Sequence, residues 1–457
     1  MEPLRLCVNT QTPLVQFAPI ATGEGGKPSQ RTLLDVSQLV EGRDYRFSPG
    51  GVTRMVFPLL KQMMSRGVLK DAHWVALNPD APERARIGGI ELFHVSVGKD
   101  VMQGYGKTKE TMWKTIHGVQ DSEDAAEDLF WRDEYSDFAY YNRFSAELIA
   151  KLDRKHEYDV FYIHDFQQLP VGHMLKTLKP KVFRWHIPFD ESMIPTDWKG
   201  LLSTYFNSYD VVVVSSKKYL RSLKSFGYSG RVVHVYPYVD PSTYTEPSKE
   251  QVDRLCSRFG ITPGDELALV VARMDPMKGQ DRAIKALAAL KDHHPRLKLM
   301  LVGDGSFSSS REGLGLSKGD RWKSHLETIA AQAEVRDRVI FTGHLSQVDL
   351  DAAYARCALT ILPSVREGFG LVVIESWLHK KPAIVTNRAG ISELVTDGRN
   401  GFLFDPNDVD SLAKVVSRVL NHDSLRSEMG EKGFSTSKLC HLERGVKAES
   451  ELLLGLV

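Results

Sequence analysis

The sequence has little of what secreted, membrane-spanning or nucleic-acid-binding proteins use. Its 457 residues contain four cysteines, Cys7, Cys256, Cys357 and Cys440, which are scattered without a Cys-x-x-Cys pair. Such usage predicts a reducing compartment and gives no sign of a structural zinc site. Lys and Arg together number 59 and Asp and Glu 58, so neither nucleic acid nor an anionic membrane is an expected partner.

Long apolar segments are also lacking. Aliphatic runs such as residues 211–214 are far too short to span a bilayer. The first residues show no basic segment followed by an apolar one, which is the pattern of a signal peptide. We therefore expect a cytoplasmic protein without stable membrane insertion.

What the chain does contain is an alternation of short apolar runs with helical patterns. The runs lie at residues 160–163, 211–214, 268–271, 297–302 and 339–341. Runs of this kind suit parallel strands that are covered on both faces. Their alternation with helices predicts an α/β protein with doubly wound sheets, and 457 residues are too many for a single core.

Two Rossmann-like domains are therefore predicted. Pro237 and Pro241 interrupt the pattern after the apolar run at 232–235. This places the boundary near residue 240, with an N-terminal domain at 1–240 and a C-terminal domain at 241–439. The last residues, about 440–457, have the pattern of a helix with a leucine-rich end.

Two polar, glycine-bearing segments, residues 17–48 and 306–320, are predicted to be long loops. Long loops in compact domains are often lids or binding loops. For both segments, an ordinary surface loop without a role in binding is an equally good interpretation.

A pair of glutamates near the C-terminal end is the strongest functional signal. Seven residues separate Glu367, in a turn after an apolar run, from Glu375, in the predicted helix that follows. Gly368 and Gly370 between them would let backbone N–H groups come close to a ligand. Taken alone, a glycine turn with two surface acids would explain the pair equally well.

Two cations stand on another loop of the same half. Arg273 and Lys278 lie between the strand pattern at 268–271 and the helix pattern at 284–290. Fixed positive charges on such a loop can neutralise a diphosphate leaving group.

The N-terminal half offers weaker signals. Gly50 and Gly51 precede an amphipathic helix and could cradle a phosphate or sugar oxygen, although a plain helix-entry turn is the alternative. Asp165 follows the strand pattern at 160–163, and His186 ends another. Ligands of open α/β sheets bind beyond the carboxyl ends of strands, so both positions point towards a ligand site. A strand-end histidine can equally be structural.

The C-terminal motifs resemble the E-x7-E and R-x4-K elements of retaining nucleotide-sugar glycosyltransferases, in particular glycosyltransferase family 4. A third stretch, residues 387–403, is similar to the same family but has Ala389-Gly390 where the family usually has two glycines. The resemblance implies the GT-B fold, in which two Rossmann-like doubly wound domains face each other across a cleft. It also implies that the C-terminal helix packs back onto the N-terminal domain.

The N-terminal motifs resemble a narrower group. His-Asp-x-x-x-Leu-Pro at 164–170 and His-Ile-Pro-Phe at 186–189 are similar to trehalose-6-phosphate synthases, and related elements occur in trehalose-forming synthases and phosphorylases. The resemblance is hybrid. Trehalose-6-phosphate synthases have an Asp-Gly-Met-Asn-like turn where this chain has residues 367–370.

The resemblance implies a role for each matching residue. The donor-binding set is Gly50, Gly51, Arg273, Lys278, Glu367, Gly368, Phe369, Gly370, Leu371 and Glu375. The catalytic set is His186, Arg273, Lys278 and Glu367, and the acceptor-binding set is Asp165, Gln167 and Gln168. The leaving phosphate would take the acceptor proton, because no enzymic base is evident at the anomeric carbon.

The expected activity is retaining transfer of a hexose, with glucose the best candidate, from a nucleotide-diphosphate sugar such as UDP-, ADP- or GDP-glucose. The expected acceptor is glucose or glucose 6-phosphate, and transfer to either gives a trehalose-type product. Alternatives are a glycolipid or cell-surface-glycan glycosyltransferase and a GT-B sugar phosphorylase. A glycolipid enzyme would need an exposed basic helix, and the helix predicted at 54–70 has a Met and Leu stripe that core packing explains better. A non-catalytic sugar-nucleotide binder is disfavoured, because Arg273, Lys278 and Glu367 are all present.

No further cofactor and no metal are expected, and a homodimer is compatible with the sequence. The two Asp-x-Asp sequences, Asp349-Leu350-Asp351 and Asp408-Val409-Asp410, are predicted to start helices, where acids complement the helix dipole.

Overall fold

The computed structural model describes residues 2–18, 33–48, 50–79, 81–119, 128–305 and 314–457, and of residues 314–318 only the backbone. The chain divides into two compact units. The N-terminal unit consists of Met1–Tyr238 and Leu442–Val457, and the C-terminal unit consists of Val239–His441.

The described residues form seventeen strands. They are β1 Leu4–Thr10, β2 Val15–Phe17, β3 Leu34–Asp35, β4 Tyr45–Phe47, β5 Leu69–Leu77, β6 Arg84–Ile87, β7 Ile90–Val95, β8 Val160–His164, β9 Lys181–Trp185, β10 Val211–Val214, β11 Arg231–His234, β12 Glu266–Val271, β13 Leu297–Val302, β14 Val339–Gly343, β15 Leu359–Leu362, β16 Ala383–Thr386 and β17 Gly401–Phe404.

Fourteen α-helices accompany these strands in the described ranges. They are α1 Gly51–Ser65, α2 Lys99–Ile116, α3 Asp133–His156, α4 Val171–Met174, α5 Thr196–Phe206, α6 Lys217–Ser225, α7 Lys249–Phe259, α8 Gln280–Ala289, α9 Leu314–Gln332, α10 Gln347–Arg356, α11 Leu371–Leu378, α12 Val409–Leu420, α13 Asp423–Ser437 and α14 Leu442–Leu454. None of the helices so described combines the length and the apolar character needed to cross a membrane.

The N-terminal unit is built on a nine-stranded sheet in the order β11-β10-β9-β8-β1-β5-β7-β6-β3. All neighbours are parallel except β6 and β7, while β2 and β4 form a separate antiparallel pair. Apolar side chains cover the sheet in two buried clusters, as the apolar strand runs predicted. The strand order reverses at β1 and β8, so the carboxyl ends of these two strands are where a ligand of this unit is expected.

The C-terminal unit is a six-stranded parallel sheet in the order β14-β13-β12-β15-β16-β17. Numbered within the unit, this is the 3-2-1-4-5-6 order of the Rossmann fold. Its strand order reverses between β12 and β15, which are direct neighbours. The prediction of an α/β chain with doubly wound parallel sheets is therefore confirmed.

Three details of the sequence prediction were wrong. The helix expected at 54–70 ends at Ser65, because Gly67 takes a left-handed φ of 69°, and Lys70 already belongs to β5. The segment 17–48 is not simply a loop, since β4 pairs with β2 and β3 joins the edge of the large sheet. Residues 314–320, expected in a loop, lie in α9. The rest of the two predicted loops, 19–32 and 306–313, lies outside the described residues.

A buried ion pair fixes α14 within the N-terminal unit. The Arg184 guanidinium, on β9, contacts the Glu449 carboxylate, on α14, and both side chains are almost fully buried. The hydroxyls of Tyr162 and Tyr238 donate hydrogen bonds of 2.8 and 2.9 Å to the same carboxylate. Each carboxylate oxygen therefore has partners, which a buried charge needs in order to be tolerated.

We expect Glu449→Gln to lower the free energy of unfolding by about 3–5 kcal/mol, because it leaves the buried Arg184 charge uncompensated. Chemical denaturation followed by circular dichroism measures the change. Glu451→Gln, at an exposed position on the same helix, is the matched control and should change the stability little. Equal effects of the two substitutions would mean that the buried pair does not hold α14.

Candidate functional site

The backbone joins three loops at the switch point of the C-terminal unit. The loop after β12 accepts a hydrogen bond at Met277 O from Val365 N, at 2.9 Å, and Val365 lies in the loop after β15. That second loop meets the loop after β16, since Gly390 N donates to Glu367 O at 3.2 Å and Ile391 N donates to Phe369 O at 2.9 Å. The three stretches that the sequence singled out thus form one connected surface.

Two glycines make this close approach possible. A Cβ atom on Gly279, which has a φ of 68°, would lie 2.0 Å from the carbonyl oxygen of Pro363. A Cβ atom on Gly390 would lie 2.3 Å from the carbonyl oxygen of Gly368. Any other residue would therefore force the loops apart. Ala389 is followed by the glycine that this contact requires, so the departure from the family pattern leaves the turn intact.

The charged residues predicted on these loops lie together. Lys278 Nζ contacts Glu367 Oε2 at 2.6 Å, with both side chains largely buried, and Ser364 Oγ donates to the same oxygen at 3.1 Å. Burial lowers the pKa of Arg273, while Asp275 and Glu367 act in the opposite direction. Arg273 remains charged at neutral pH. Two cations and one carboxylate therefore occupy the position where a Rossmann-type unit binds its ligand.

The second glutamate of the pair is deeply buried. Glu375, on α11, is 1% exposed and accepts hydrogen bonds from Tyr354 at 3.0 Å and from Tyr244 at 3.1 Å. A ribose could reach this carboxylate only if Tyr244 gave way. The sequence did not single out either tyrosine, because both are distant from Glu375 along the chain.

The start of α11 carries the remaining donor-site candidates. Gly370 precedes the helix with a φ of 110°, and Leu371 is its first residue. Phe369 is buried, and the carbonyl oxygen of Gly368 lies close to Gly390, as described above.

In the N-terminal unit, Asp165 follows β8 in an unusual conformation, with a φ of 72°. Its backbone N–H donates to Arg184 O at 3.0 Å, and its carbonyl accepts from Gln168 N at 3.0 Å. Burial raises the pKa of the carboxyl to about 7. A strained, poorly solvated carboxyl at a switch point is a common feature of functional sites.

His186 lies beside Asp165's strand, at the end of β9. Its ring is 5.3 Å from that of His164 and nearly parallel to it, and His164 Nδ1 and His186 Nε2 are hydrogen-bonded at 3.0 Å. Burial lowers the pKa of both rings, and Arg184 lowers them further. Both histidines are therefore neutral at pH 7.

The two glutamines differ. Gln168 is fully buried and its amide donates to Tyr141 at 2.9 Å, a contact that holds helix α3 to this turn. Gln167 is half-buried, and the Oε1 atoms of both glutamines are sealed from solvent without a hydrogen-bond partner in the described part of the chain. The amide nitrogen of Gln167 is not sealed, so it is the side-chain group of the two glutamines that a ligand can contact.

The predicted glycine pair opens α1, with Gly50 preceding the helix at a φ of 141° and Gly51 as its first residue. The capping residue, Gly50, has no side chain with which to cap this end of the helix. Its first backbone N–H groups therefore remain suited to an anion or a sugar oxygen.

Both Asp-x-Asp sequences lie at helix starts, as predicted. Asp349 is in the first turn of α10, and Asp408 caps α12 by accepting from Ser411 N at 2.8 Å. Among the residues that the structure describes, no three His, Cys, Asp or Glu side chains are grouped so that they could hold a metal ion.

Comparison with protein families confirms the resemblance in both units. Residues 254–436 match the family described as Glycosyl transferases group 1. Residues 93–221 match the family described as Trehalose synthase, N-terminal domain. The C-terminal unit therefore contains a match to a group 1 glycosyltransferase domain, and the N-terminal unit contains a match to an N-terminal domain of the trehalose synthase type.

Curated relatives agree with both assignments. The trehalose synthase of Thermococcus litoralis is 27% identical over 299 residues, which cover 63% of this chain and 68% of the relative. A GDP-mannose-dependent phosphatidylinositol monomannoside mannosyltransferase of Mycolicibacterium smegmatis is 29% identical over 252 residues, or 53% of this chain and 61% of the relative.

Solved structures confirm the GT-B fold over nearly the whole chain. A UDP-forming α,α-trehalose-phosphate synthase from Burkholderia xenovorans, in complex with glucose-6-phosphate, aligns with a TM-score of 0.77 at 16% identity, covering 98% of this chain and 100% of that one. A sucrose-phosphate synthase from Thermosynechococcus elongatus aligns with a TM-score of 0.72 at 16% identity, covering 100% and 99%.

We expect Asp165→Asn to be more stable than the wild type at pH 8 and equally stable near pH 4. The carboxyl pKa is about 7 in the folded chain and near 3.8 when unfolded, so wild-type stability falls as pH rises through this interval. Asparagine also tolerates the positive φ.

Denaturant titrations at several pH values measure this difference. Asp197→Asn, at an exposed position, is the control for the exchange of a carboxylate for an amide. If Asp165→Asn were less stable than the wild type at pH 8, the carboxylate would have to be held by favourable contacts.

Proposed function

We propose that the protein is a retaining hexosyltransferase that moves glucose from a nucleotide-diphosphate sugar to a small sugar acceptor. Glucose or glucose 6-phosphate is the proposed acceptor, and the product is of the trehalose type. The observation that carries the proposal is the group of Arg273, Lys278 and Glu367 on hydrogen-bonded loops at the switch point of a Rossmann-type unit.

The C-terminal unit would bind the donor. Arg273 and Lys278 supply two positive charges for the diphosphate, and such charges stabilise a leaving group most when they are preorganised and partly shielded from water. Glu367 would accept hydrogen bonds from sugar hydroxyls. On binding, Lys278 would exchange its contact with Glu367 for one with a phosphate oxygen, which frees the carboxylate for the sugar. Glu375 would hold the ribose after Tyr244 has moved aside.

The N-terminal unit would bind the acceptor. Asp165 offers carboxyl oxygen atoms that can accept hydrogen bonds from acceptor hydroxyls, and the amide nitrogen of Gln167 can donate one to a sugar oxygen. Burial is the cause of the raised Asp165 pKa, and within the described residues no cation counteracts it. A hydroxyl-rich, uncharged acceptor suits the surroundings of this carboxyl better than a phosphate group does. The names of the relatives support the same product class, since trehalose synthases are among them.

Retention would follow if the acceptor attacked the face of the sugar from which the diphosphate leaves. The leaving phosphate oxygen would take the proton of the attacking hydroxyl on the same face of the sugar. Arg273 and Lys278 would balance the charge that develops on the diphosphate.

The direct test is a screen of UDP-, ADP- and GDP-glucose against glucose and glucose 6-phosphate. Proton NMR of the product gives the configuration of the new glycosidic bond. We expect an α,α-linked disaccharide or its phosphate, formed equally well with chelator or with magnesium. Failure of both acceptors would remove the trehalose-type assignment, and a β-linked product would remove the retaining mechanism.

The charge assignment yields a separate prediction. Arg273→Ala and Lys278→Ala should each lower kcat by about a hundredfold to a thousandfold, the usual cost of removing one preorganised electrostatic partner. Steady-state kinetics with the best donor measures the loss.

Lys285→Ala is the matched control, because Lys285 is an exposed lysine on α8 of the same unit, and it should retain full turnover. Turnover near that of the wild type in a folded Arg273→Ala, Lys278→Ala double variant would exclude this loop from the mechanism.

A further inference from the structure

Two neutral histidines at the ends of adjacent strands form a pair whose hydrogen-bond direction can be deduced. His164 is the last residue of β8, His186 follows β9, and the bond joins His164 Nδ1 to His186 Nε2. A neutral imidazole carries a single N–H, so one ring must donate and the other must accept. The direction of the bond decides which nitrogen of each ring carries its proton.

The other nitrogen of His164 settles the direction. His164 Nε2 is sealed from solvent and has no hydrogen-bond partner within the described ranges. If His186 donated the bond, His164 Nδ1 would be bare and its N–H would lie on Nε2, buried and unpaired. Buried N–H groups without a partner are rare and costly. A bare lone pair at Nε2, in contrast, is only an acceptor without a donor, and buried acceptors without a partner are less rare than buried donors without one.

Protonation of either histidine, which could change the direction of the hydrogen bond, is disfavoured. A positively charged imidazole would place an N–H on His164 Nε2 or make both nitrogens of His186 donors. Burial and the neighbouring Arg184 charge lower the pKa of both rings, and His164 lowers that of His186 further. Arg184 itself keeps its charge through the buried contact with Glu449.

We infer that His164 is a positioning residue: its Nδ1–H donates to Nε2 of His186 and thereby fixes His186 as the tautomer with its N–H on Nδ1. His186 is half-buried, and its Nδ1 has no partner in the described part of the chain and is not sealed from solvent. This nitrogen is therefore the one that a ligand can reach.

The tautomer with its N–H on Nδ1 restricts what His186 can do in the reaction. This consequence rests on the proposed function. Nδ1 can donate a hydrogen bond to a sugar oxygen, but it cannot accept the acceptor proton, because it already carries one. Nε2 is occupied by His164. His186 therefore orients the sugar, and the proton of the attacking hydroxyl must go elsewhere, in keeping with its transfer to the leaving phosphate.

Nitrogen NMR tests the tautomer without any assay of activity. In the full-length protein labelled with ¹⁵N-histidine, long-range proton–nitrogen correlations distinguish a protonated ring nitrogen from a bare one, and His186→Gln identifies the signals of His186. We expect Nδ1 of His186 to be protonated and Nε2 to be bare at pH 7. A proton on Nε2 of His186 would overturn the inference whether or not the protein makes a disaccharide.

Two variants of nearly equal size test the positioning role. The side-chain amide of His164→Asn can donate from the place of Nδ1, whereas the carboxylate of His164→Asp, assayed at alkaline pH so that it is ionised, can only accept. We expect Asn to retain most of kcat and Asp to lose about tenfold to a hundredfold, the cost that is typical when the partner orienting a metal-bound histidine is removed.

The NMR spectrum of the Asp variant should also show the proton of His186 moved to Nε2, a change that a merely structural effect would not produce. His293→Asn, at an exposed position, controls for the exchange of histidine for an amide and should leave kcat unchanged. If the Asp variant were as active as the Asn variant, or if its His186 kept the proton on Nδ1, His164 would not set the tautomer.

Discussion

The Rossmann strand order of the C-terminal unit forces three loops onto one edge of one sheet, and Lys278 and Glu367 form their ion pair where these loops meet. The approach is so close that two of the contacts admit no side chain, at Gly279 and Gly390. Charge is thereby held at a fixed position before any ligand arrives. Preorganisation of this kind is what makes electrostatic stabilisation of a leaving group effective.

The N-terminal unit differs from the C-terminal unit in the charge of its candidate ligand-binding groups. Its switch point carries groups that burial keeps neutral or makes reluctant to ionise, namely Asp165 and the pair His164 and His186. The strong charge nearby, on Arg184, is taken up by Glu449 of α14 and serves the fold. A charged set that would hold a diphosphate and a neutral set that would hold hydroxyl groups are therefore found in different units of the chain.

Much of this was accessible from the sequence because the signals are local. Apolar runs predicted strands such as β10 and β12, and the spacing of Glu367, Arg273 and Lys278 predicted the loops that follow them. The sequence did not predict strand β5, because Lys70 and the residue after it, near the start of the strand, are polar and exposed. The sequence did not predict the hydrogen-bond partners of Glu375 for another reason. Tyr244 and Tyr354 reach it only through tertiary packing, which no local pattern records. The buried pair of Arg184 is likewise not visible in the local sequence, because its partner Glu449 lies on the last helix.

Hydrogen exchange measured by mass spectrometry shows most directly whether the three loops of the C-terminal unit act as one donor site. The protein is compared with and without a saturating nucleotide-diphosphate glucose. The account predicts that amide protons in residues 273–280, 364–371 and 388–392 become protected together, and that Lys278→Ala weakens the protection in all three segments. Bound nucleotide sugar that protects other segments and leaves these three unchanged would contradict the account.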